Sequence, residues 1–404
     1  MRRRLLALAA CLTLATLVGH GQATDGYQWR GPNRDGKSTE TGLLKNWPPG
    51  GPPRVWRSAV AGGGYSSFST SAGRLYTLGA RGETEYVIAL DAATGSKVWE
   101  TVNGALFSND RGDGPRGTPT LDGDRLYALG GSGDLSCLDQ KTGRAIWKKN
   151  ILKEFGGQNP QWGISESPLV LDDRVLVNAG GPDASIVALN KMTGAVIWRS
   201  QSDPAAYSSS VLARVGDVAQ AVFFTERRAL GVDVRDGKAL WTYDRANNDT
   251  ANIATPVVSG NRVFISSNYG TGGALLELSR FGAREVYFTR SMMNHHSTSV
   301  LIGEHLYGFS NSILTAMRFA DGRVAWQDRS VGKGSVIWAD QRLYLYSENG
   351  VVGLAEPDPT AYREHGRFRI AAGQLPTWSH PIITYGKLII RDQDAVYAYD
   401  IRAK

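Results

Sequence analysis

The sequence has few of the residues on which common enzyme sites are built. It holds two cysteines and six histidines in 404 residues, and none of the patterns GxSxG, HExxH, CxxC or CxxCH occurs in it. Those patterns mark a hydrolase nucleophile, a zinc protease, a redox pair and a haem attachment site. The acids are scattered, and no two of them form an evident acid–base couple. The sequence therefore predicts no catalytic residue.

Long apolar runs are also missing, except at the start of the chain. Arg2, Arg3 and Arg4 precede an apolar run from Leu5 to Val18, and small residues follow as far as Ala23. This order is typical of a secretion signal, and the run is too short to span a membrane as a helix. We expect residues 1–23 to be a signal peptide and the protein to be exported, either periplasmic or secreted. No other stretch predicts a transmembrane span.

A second interpretation of the leader is a lipoprotein signal. Residues 8–11 read LAAC, which has the form of a lipobox and would make Cys11 a lipid anchor. With cleavage after Ala23 instead, Cys137 is the single cysteine of the mature chain, so no intramolecular disulfide is expected. Cys137 occupies a small strand position in a repeat, which indicates a buried structural thiol.

The charge pattern argues against nucleic acid as a partner. Of the 45 basic residues, three lie in the leader, so 42 remain against 38 acidic ones. Charges of both signs are interspersed along the chain, and a nucleic-acid surface would need a basic stripe or block.

What the sequence has is a repeat. Residues 89–99 read ALDAATGSKVW, and they return as CLDQKTGRAIW, ALNKMTGAVIW, GVDVRDGKALW and AMRFADGRVAW, at intervals of 40–51 residues when a degenerate copy around Gly282 is included. This period matches one four-stranded propeller blade. Three of these five copies carry an Asp that can accept hydrogen bonds from turn amides, and all five carry a Gly that supplies a positive φ and a Trp that can dock between neighbouring sheets. The predicted blade residues are Asp91, Gly95, Trp99, Asp139, Gly143, Trp147, Gly194, Trp198, Gly237, Trp241, Gly322 and Trp326.

These repeats predict an all-β fold, an eight-bladed β-propeller of four-stranded blades at residues 53–404. The C-terminal end supplies three strands of the last blade, and residues 54–60 supply the fourth, which removes the free sheet edge. The periods alone also allow seven or nine blades. No helix is predicted, and we expect a monomer. Residues 24–52 are a Gly/Pro-rich extension, expected to pack on the outside of the blades with Trp29 and Trp47 as anchors.

The repeat resembles the one named after pyrroloquinoline quinone (PQQ), and the likeness covers nearly all of residues 54–404. That repeat occurs in quinoprotein alcohol dehydrogenases and in the propeller lipoprotein of the bacterial outer-membrane barrel-assembly machinery. The stretches WRGPNRDG and GGYSSFS also look like the opening of single-domain PQQ-like proteins. The resemblance is specific for the fold and weak for the chemistry, because its Asp, Gly and Trp serve the blade.

The dehydrogenases of this family imply a demanding site. They hold PQQ on the propeller axis with Ca²⁺, a catalytic Asp, Glu and Asn metal ligands, and a disulfide between adjacent cysteines. This chain lacks the cysteine pair, and Ca²⁺ requires about six to eight oxygen ligands. We therefore expect no cofactor, with PQQ and Ca²⁺ kept as the alternative.

Any binding site should lie at one mouth of the channel, on loops that join the last strand of a blade to the first strand of the next. Those loops are polar and aromatic here. The candidate ligand-binding residues on them are Asn109, Asp110, Arg111, Arg116, Gln158, Trp162, Glu166, Asn247, Asp249, Asn252, His295, His296, Trp378 and His380.

Each candidate also has a structural interpretation. The residues from Asn247 to Asn252 are typical turn formers. His295 and His296 are adjacent and would point to opposite faces of a strand, which disfavours a shared metal ion unless His380 joins one of them. Trp162 and Trp378 fall outside the docking position of the repeat, so they are the better candidates for a ligand platform.

Three functions remain open at this point. The first is an exported, non-catalytic envelope scaffold that holds a protein or a small ligand at its channel mouth or blade edges. The second is a reduced PQQ-dependent alcohol or sugar dehydrogenase. The third is a carbohydrate-binding propeller that uses Trp162 and Trp378.

Overall fold

The computed structural model describes residues 25–403, so the expected signal peptide and Cys11 lie outside the described part. Within it, 32 β-strands form eight four-stranded antiparallel sheets, which are the eight blades of a propeller. The predicted fold class and blade number are confirmed. No helix among residues 25–403 is long and apolar enough to cross a membrane.

Each blade runs from a short inner strand to an exposed outer strand. Strand β1 (Arg54–Ser58) comes first in the chain but belongs to the last blade. Blade one consists of β2 (Ser69–Ser71), β3 (Arg74–Arg81), β4 (Thr84–Asp91) and β5 (Lys97–Ala105), and blade two consists of β6 (Thr120–Asp122), β7 (Arg125–Leu129), β8 (Asp134–Asp139) and β9 (Ala145–Asn150). Blade three consists of β10 (Leu169–Leu171), β11 (Arg174–Gly181), β12 (Ala184–Asn190) and β13 (Val196–Ser200), and blade four consists of β14 (Val211–Val215), β15 (Val218–Phe224), β16 (Ala229–Asp233) and β17 (Ala239–Tyr243).

The second half of the ring repeats the arrangement and ends with the closing blade. Blade five consists of β18 (Val257–Ser259), β19 (Arg262–Ser267), β20 (Gly272–Ser279) and β21 (Gly282–Thr289), and blade six consists of β22 (Val300–Ile302), β23 (His305–Ser310), β24 (Ile313–Arg318) and β25 (Val324–Asp328). Blade seven consists of β26 (Gly334–Ala339), β27 (Arg342–Ser347), β28 (Val351–Ala355) and β29 (Glu364–Arg369). Blade eight consists of β30 (Ile382–Thr384), β31 (Lys387–Asp392) and β32 (Ala395–Asp400) together with β1. β1 pairs antiparallel with β32, with Trp56 opposite Ala398. This pairing confirms the predicted closure by an N-terminal strand.

Neighbouring blades are joined by rings that dock on turn glycines. A Cβ on Gly143 of blade two would lie 2.6 Å from Cε3 of Trp99 in blade one, so the Trp99 ring packs directly on this glycine. Nε1 of Trp99 donates to the Gln140 carbonyl at 3.2 Å. The same arrangement recurs around the ring in the pairs Trp56–Gly95, Trp147–Gly194, Trp198–Gly237 and Tyr287–Gly322. Each glycine has a φ near +70°, and its turn leaves space for the ring only because no Cβ is present.

The turn acids behave as predicted. Asp91 accepts hydrogen bonds from the amides of Ala93 and Thr94 at 3.0 and 2.8 Å. Asp139 accepts from the amide and the hydroxyl of Thr142 at 2.8 and 2.6 Å. These bonds fix the turn that presents the docking glycine.

Trp241 corrects the prediction for the fourth blade. Its Nε1 donates to Oε1 of Gln220 at 2.8 Å and its ring lies against Gly231, so it docks on no turn glycine of the next blade, although it belongs to the buried cluster that joins blades four and five. The reason lies in the next blade, whose outer hairpin turns through residues 280 and 281 and has no left-handed glycine at the docking position.

One short helix was not predicted. α1 (Ile151–Phe155) follows β9, with Asn150 as its N-cap and Gly156 at φ 72° as its C-cap. Ile151, Leu152 and Phe155 are buried between blades two and three. One helical turn places these three apolar side chains on the side that faces the core. The Asn150 and Gly156 caps are the signal in the sequence from which the helix could have been predicted.

The N-terminal extension corrects the prediction most clearly. Residues 25–38, here called the axial segment, lie inside the channel and contact the inner edge of all eight blades. Trp29 is therefore an internal residue. Trp47 lies in the part of the extension that precedes β1, and its ring packs against Tyr344 and Phe368 of blade seven.

Two buried arginines hold the axial segment in place. Arg30 donates to the Thr298 and Ser299 carbonyls of blade six at 3.1 and 3.0 Å. Arg34 donates to the carbonyls of Ser167, Pro168 and Ser210 and to Oγ1 of Thr120, so one guanidinium spans blades two, three and four. Burial lowers the pKa of Arg30 to about 10 and that of Arg34 to about 9. These five carbonyls, which directly precede the inner strands of blades three, four and six, are thus paired with side chains of the same chain.

Further hydrogen bonds join the axial segment to the other blades and to blade two. These run from the Gly26 amide to Oγ1 of Thr70, from the Leu121 amide to the Tyr27 carbonyl, from Trp29 Nε1 to Oγ1 of Thr255, from the Ser38 amide to the Trp338 carbonyl, and from the Ser38 hydroxyl to the Ile383 carbonyl. The axial segment closes the channel and forms the floor of the space above it.

Candidate functional site

A pocket opens at the channel mouth, where the loops between successive blades converge. Its volume is about 480 Å³, and Trp29 of the axial segment lines it together with residues from the blades around the ring. The lining residues are Trp29, Tyr65, Arg111, Arg116, Trp162, Ser165, Tyr207, Ser209, Thr250, Ile253, Thr255, Tyr269, His295, His296, Thr298, Lys333, Trp378 and His380. We call this the mouth pocket.

Half of the predicted candidates line the mouth pocket, and the other half do not. The seven lining candidates are Arg111, Arg116, Trp162, His295, His296, Trp378 and His380. The structure brings these residues to one space although they come from four different loops. Their role in ligand binding stays a prediction.

Three candidates outside the pocket shape their loops. Asn109 donates to the Gln161 carbonyl at 3.0 Å and accepts from the Arg111 amide at 2.9 Å. Asn252 is buried and donates to the Thr225 and Glu226 carbonyls and to Asn247, which agrees with the turn interpretation.

The other candidates outside the pocket are exposed or enclosed elsewhere. Asp110, Gln158 and Asp249 are exposed to solvent. Glu166 is buried and accepts from the Asn178 amide at 2.5 Å, and burial raises the pKa of its carboxyl to about 8.

Aromatic rings form two sides of the mouth pocket. Trp162 lies against Tyr207 with ring centroids 5.7 Å apart, and Trp378 lies against Tyr65 at 5.6 Å. The His296 ring lies 5.9 Å from that of Trp378 at an interplanar angle of 30°. Such rings offer flat apolar faces to a planar ligand.

Three neutral histidines gather on one side of the pocket. Nε2 of His380 lies 3.3 Å from the His296 carbonyl, and Nε2 of His295 lies 3.0 Å from the Tyr269 hydroxyl. Burial lowers the pKa of His295 to about 4 and that of His380 to about 3, and it holds the pKa of His296 well below its usual value. The imidazoles are therefore uncharged at neutral pH and act as hydrogen-bonding groups.

The charged groups of the pocket are cations. Arg116 lies over the rings of Tyr65 and Phe107 and donates to the Gly112 and Gly114 carbonyls, so it also holds its own loop. Arg111, on the same loop, lies 3.8 Å from Asp110, and Lys333 lies 3.4 Å from Glu348. No Asp or Glu is among the described residues that line the mouth pocket.

A family model described as outer membrane protein assembly factor BamB matches residues 83–328, which is more than half of the chain. The chain belongs to the PQQ-like β-propeller family. A protein of Burkholderia pseudomallei, described as outer membrane protein assembly factor BamB, is 27% identical over 375 residues, which cover 80% of this chain and 92% of the relative.

Solved structures share the fold of this PQQ-like propeller. BamB from Moraxella catarrhalis superposes with a TM-score of 0.62 and 14% identity, covering 83% of this chain and 96% of that one. The quinohemoprotein alcohol dehydrogenase from Comamonas testosteroni gives a TM-score of 0.67 and 12% identity, covering 94% of this chain and 81% of that one. At these identities the likeness establishes the architecture alone.

The mouth pocket of this PQQ-like propeller does not fit a quinone held through calcium. Ca²⁺ is bound by carboxylates, carbonyls and amide oxygens, whereas the pocket side chains offer hydroxyls, imidazoles and cations. Among residues 25–403 no group of three or more His, Cys, Asp or Glu is arranged to hold a metal ion. Of the acids outside the pocket, Glu348 accepts a hydrogen bond from Trp378 Nε1, and Glu166 is buried and accepts one from the Asn178 amide.

Sequence reasoning missed several lining residues of the PQQ-like propeller. Tyr65 lies in the stretch GGYSSFS, and Tyr207 lies in the loop before blade four, so both satisfied the rule that selected the other candidates. Tyr269 comes from a hairpin within blade five, and Trp29 comes from the axial segment. The last two could not be found by that rule, because they reach the pocket from outside the loops between blades.

Proposed function

We propose that this PQQ-like propeller is an exported, non-catalytic protein of the bacterial cell envelope that acts by binding other envelope proteins. The observation that carries the proposal is the composition of its mouth pocket, which presents no carboxylate. Oxidation of an alcohol requires a base that removes the hydroxyl proton, and acids or histidines of suitable pKa serve that purpose. The three histidines here are held neutral, with pKa values far below the usual optimum for a base near pH 7.

The similarity to relatives described as outer membrane protein assembly factors supports the class of partner. We infer that the partners are proteins that assemble, or are assembled into, the outer membrane. The architecture suits such a role, because a closed ring filled by its own axial segment is a rigid carrier of loops.

The first test is made in cells of the source bacterium. Deletion of the gene should lower the amount of folded outer-membrane β-barrel proteins, measured by their resistance to unfolding in unheated electrophoresis samples. Expression of the full chain should restore the level. Unchanged levels of folded barrels in the deletion strain would refute the assembly role.

A second test locates the contact. A photocrosslinking residue placed at Asp110 on the mouth loop should capture an outer-membrane barrel or assembly protein, identified by mass spectrometry. The matched control is Met192, which is exposed in a turn on the opposite face. Equal capture of the same protein at both positions would contradict the proposal that the partner binds at the channel mouth.

The dehydrogenase alternative is tested with the purified protein. We expect no dye-linked oxidation of alcohols or sugars with PQQ and Ca²⁺ added. Turnover above a boiled control would overturn the non-catalytic assignment.

A further inference from the structure

We propose that the mouth pocket receives a surface loop of a partner protein and holds an uncharged carboxamide side chain of that loop, Asn or Gln, against its histidines. This inference rests on the proposed function, because it names the part of an envelope protein that the mouth recognises. It is tested with the purified protein and short peptides, so it can fail while the result of the deletion experiment in cells stands, and the reverse also holds.

Hydrogen bonding fixes which nitrogen of His380 is free. The side chain is buried, with 4% of its surface exposed, and Nε2 lies 3.3 Å from the His296 carbonyl. A carbonyl oxygen can only accept, so Nε2 of the neutral ring carries the hydrogen and Nδ1 carries a lone pair. Nδ1 has no hydrogen-bond partner among the described residues. His380 therefore presents an acceptor to the pocket, and a ligand must donate to it.

Two further residues present free polar groups. His296 is neutral, and both of its ring nitrogens are buried without a partner in the described part of the chain, so it presents one donor and one acceptor. Trp162, on the other side of the pocket, presents Nε1, which can only donate. Nδ1 of His295 is also unpartnered, and its role follows that of the Tyr269 hydroxyl, which can donate to Nε2 or accept from it. Buried polar groups without partners are rare in native proteins, so these groups indicate an occupant that both donates and accepts.

A carboxamide combines both abilities in one uncharged group. Its nitrogen carries two donors, and its oxygen carries two lone pairs. It can donate to Nδ1 of His380 and pair with the donor and the acceptor of His296, whereas a carboxylate only accepts and would face the lone pair of Nδ1. The free N–H of Trp162 can bind a backbone carbonyl of the same loop, since every peptide unit has one.

The charges at the mouth give no reason for a charged ligand. Arg111 lies 3.8 Å from Asp110, and Lys333 lies 3.4 Å from Glu348. Arg116 donates to two carbonyls of its own loop. A charged side chain would lose its hydration in the pocket without gaining a free partner, and the same holds for the charged ends of a chain or of a free amino acid. The ligand group is therefore uncharged and lies inside a chain.

The form of the channel selects a loop. The axial segment closes the channel below the pocket, so a peptide segment must enter and leave through the open mouth. Turns have this form, and Asn is common in them. The Trp162–Tyr207 and Trp378–Tyr65 pairs offer faces to an aromatic residue beside the carboxamide, and aromatic side chains in pockets are frequent anchors of protein interfaces.

The test is a fluorescence titration of the full mature chain with three cyclic hexapeptides, cyclo(GNFNGP), cyclo(GDFDGP) and cyclo(GLFLGP). A cyclic peptide has no charged ends, and Phe does not obscure the tryptophan emission. Asn, Asp and Leu have nearly the same shape, but Asn donates and accepts, Asp only accepts and Leu does neither. We expect a saturable change of tryptophan fluorescence with the Asn peptide and binding of the other two that is weaker by about tenfold or more, because each leaves buried groups unpaired. A maltooligosaccharide, which is neutral and rich in hydroxyls, should bind more weakly than the Asn peptide.

Variants separate the two sides of the pocket. His296→Phe removes one donor and one acceptor, and should reduce the preference for the Asn peptide over the Leu peptide to about threefold or less. Trp162→Phe removes the donor to the backbone, and should weaken all three peptides about threefold to tenfold while the preference stays. The matched controls are His305→Phe, at a half-buried histidine that begins β23, and Trp326→Phe, at a docking ring of the outer strands; both should bind the peptides like the natural protein. Thermal unfolding of each variant verifies that it is folded.

Several results would overturn the carboxamide site. These are equal binding of the Asn and Asp peptides, equal binding of the Asn and Leu peptides, tighter binding of the oligosaccharide, no binding at about 1 mM peptide, and equal losses in the control variants. Selective binding of the Asn peptide together with unchanged levels of folded barrels in the deletion strain would support the site and refute the assembly role.

Discussion

The stability that a tryptophan ring gains by docking on a turn glycine can be measured by substituting two glycines of the same blade. Gly143 has a φ of +75°, and a Cβ there would lie 2.6 Å from Cε3 of Trp99. Gly123 has a φ of +58° and nothing within 4 Å of the same position. Gly123→Ala should therefore cost only the left-handed backbone, about 1–2 kcal/mol. Gly143→Ala should cost that and a further 1–3 kcal/mol or so, because the ring must move from its packed position.

Thermal unfolding of the two variants is the assay. The unfolding entropy is about 2.1 cal/mol/K per residue, or roughly 0.8 kcal/mol/K for this chain, so each kcal/mol lowers Tm by about 1.2 °C. In a Trp99→Ala background the ring is gone, and the extra cost of Gly143→Ala over Gly123→Ala should shrink to what remains of the contact with Thr101 Oγ1, which lies 2.9 Å from the same Cβ position. Equal Tm losses for the two glycine variants in the natural background would refute the docking argument, since backbone strain alone would explain both.

Three other changes test separate parts of the structure. Arg34→Met removes the donors to three buried carbonyls and should lower the free energy of urea unfolding by about 2–4 kcal/mol. The control Arg199→Met, at an exposed position, should leave that free energy unchanged. Equal effects of the two changes would mean that the axial segment does not stabilise the ring. Trp241→Phe removes the hydrogen bond to buried Gln220 and should cost about 1–2 kcal/mol, which a stability equal to that of the natural protein would contradict. Burial raises the folded-state pKa of Glu166 to about 8, above its unfolded value, so its contribution to stability is present below about pH 4 and is lost as the pH rises towards 8. Glu166→Gln should therefore stabilise the protein at pH 9 and not at pH 4 in parallel urea titrations, and a gain of the same size at both pH values would contradict this pKa.

The sequence predicted the structure best where the residues of one repeat unit determine the local conformation of that unit. The Asp–Gly–Trp pattern encodes a turn, a left-handed glycine and a docking ring, and each contact is made with the same unit or the next one. For this reason the blades, their number and the β1–β32 closure could be predicted. Trp241 departs because its partner turn lies in the degenerate fifth unit, where the docking glycine is absent.

The axial segment could not be predicted by the same reasoning. Residues 25–38 have neither an apolar period nor a regular element, and their position depends on hydrogen bonds from Arg30 and Arg34 to backbone carbonyls. A carbonyl is present at every residue, so no side-chain pattern in the sequence identifies those acceptors. The mouth loops were predictable as a group from topology, but the division of their residues between pocket and loop support depends on distances across the ring.

The geometry of the axial segment links the stability of the ring to the mouth pocket. Trp29 lines the pocket with its ring 4.6 Å from that of His380, while Arg30 beside it and Arg34 further along the axial segment join blades two, three, four and six. The rest of the lining comes from loops of successive blades, in a ring that the pairing of β1 with β32 closes. A ligand in the pocket therefore contacts a surface that an open or partly unfolded ring does not have. Because it binds the closed ring alone, it should raise Tm as its concentration exceeds Kd, by about 2.7 kcal/mol of stability at one hundred times Kd. Arg34→Met should weaken ligand binding although Arg34 does not line the pocket, since loosening the axial segment moves the floor on which Trp29 stands.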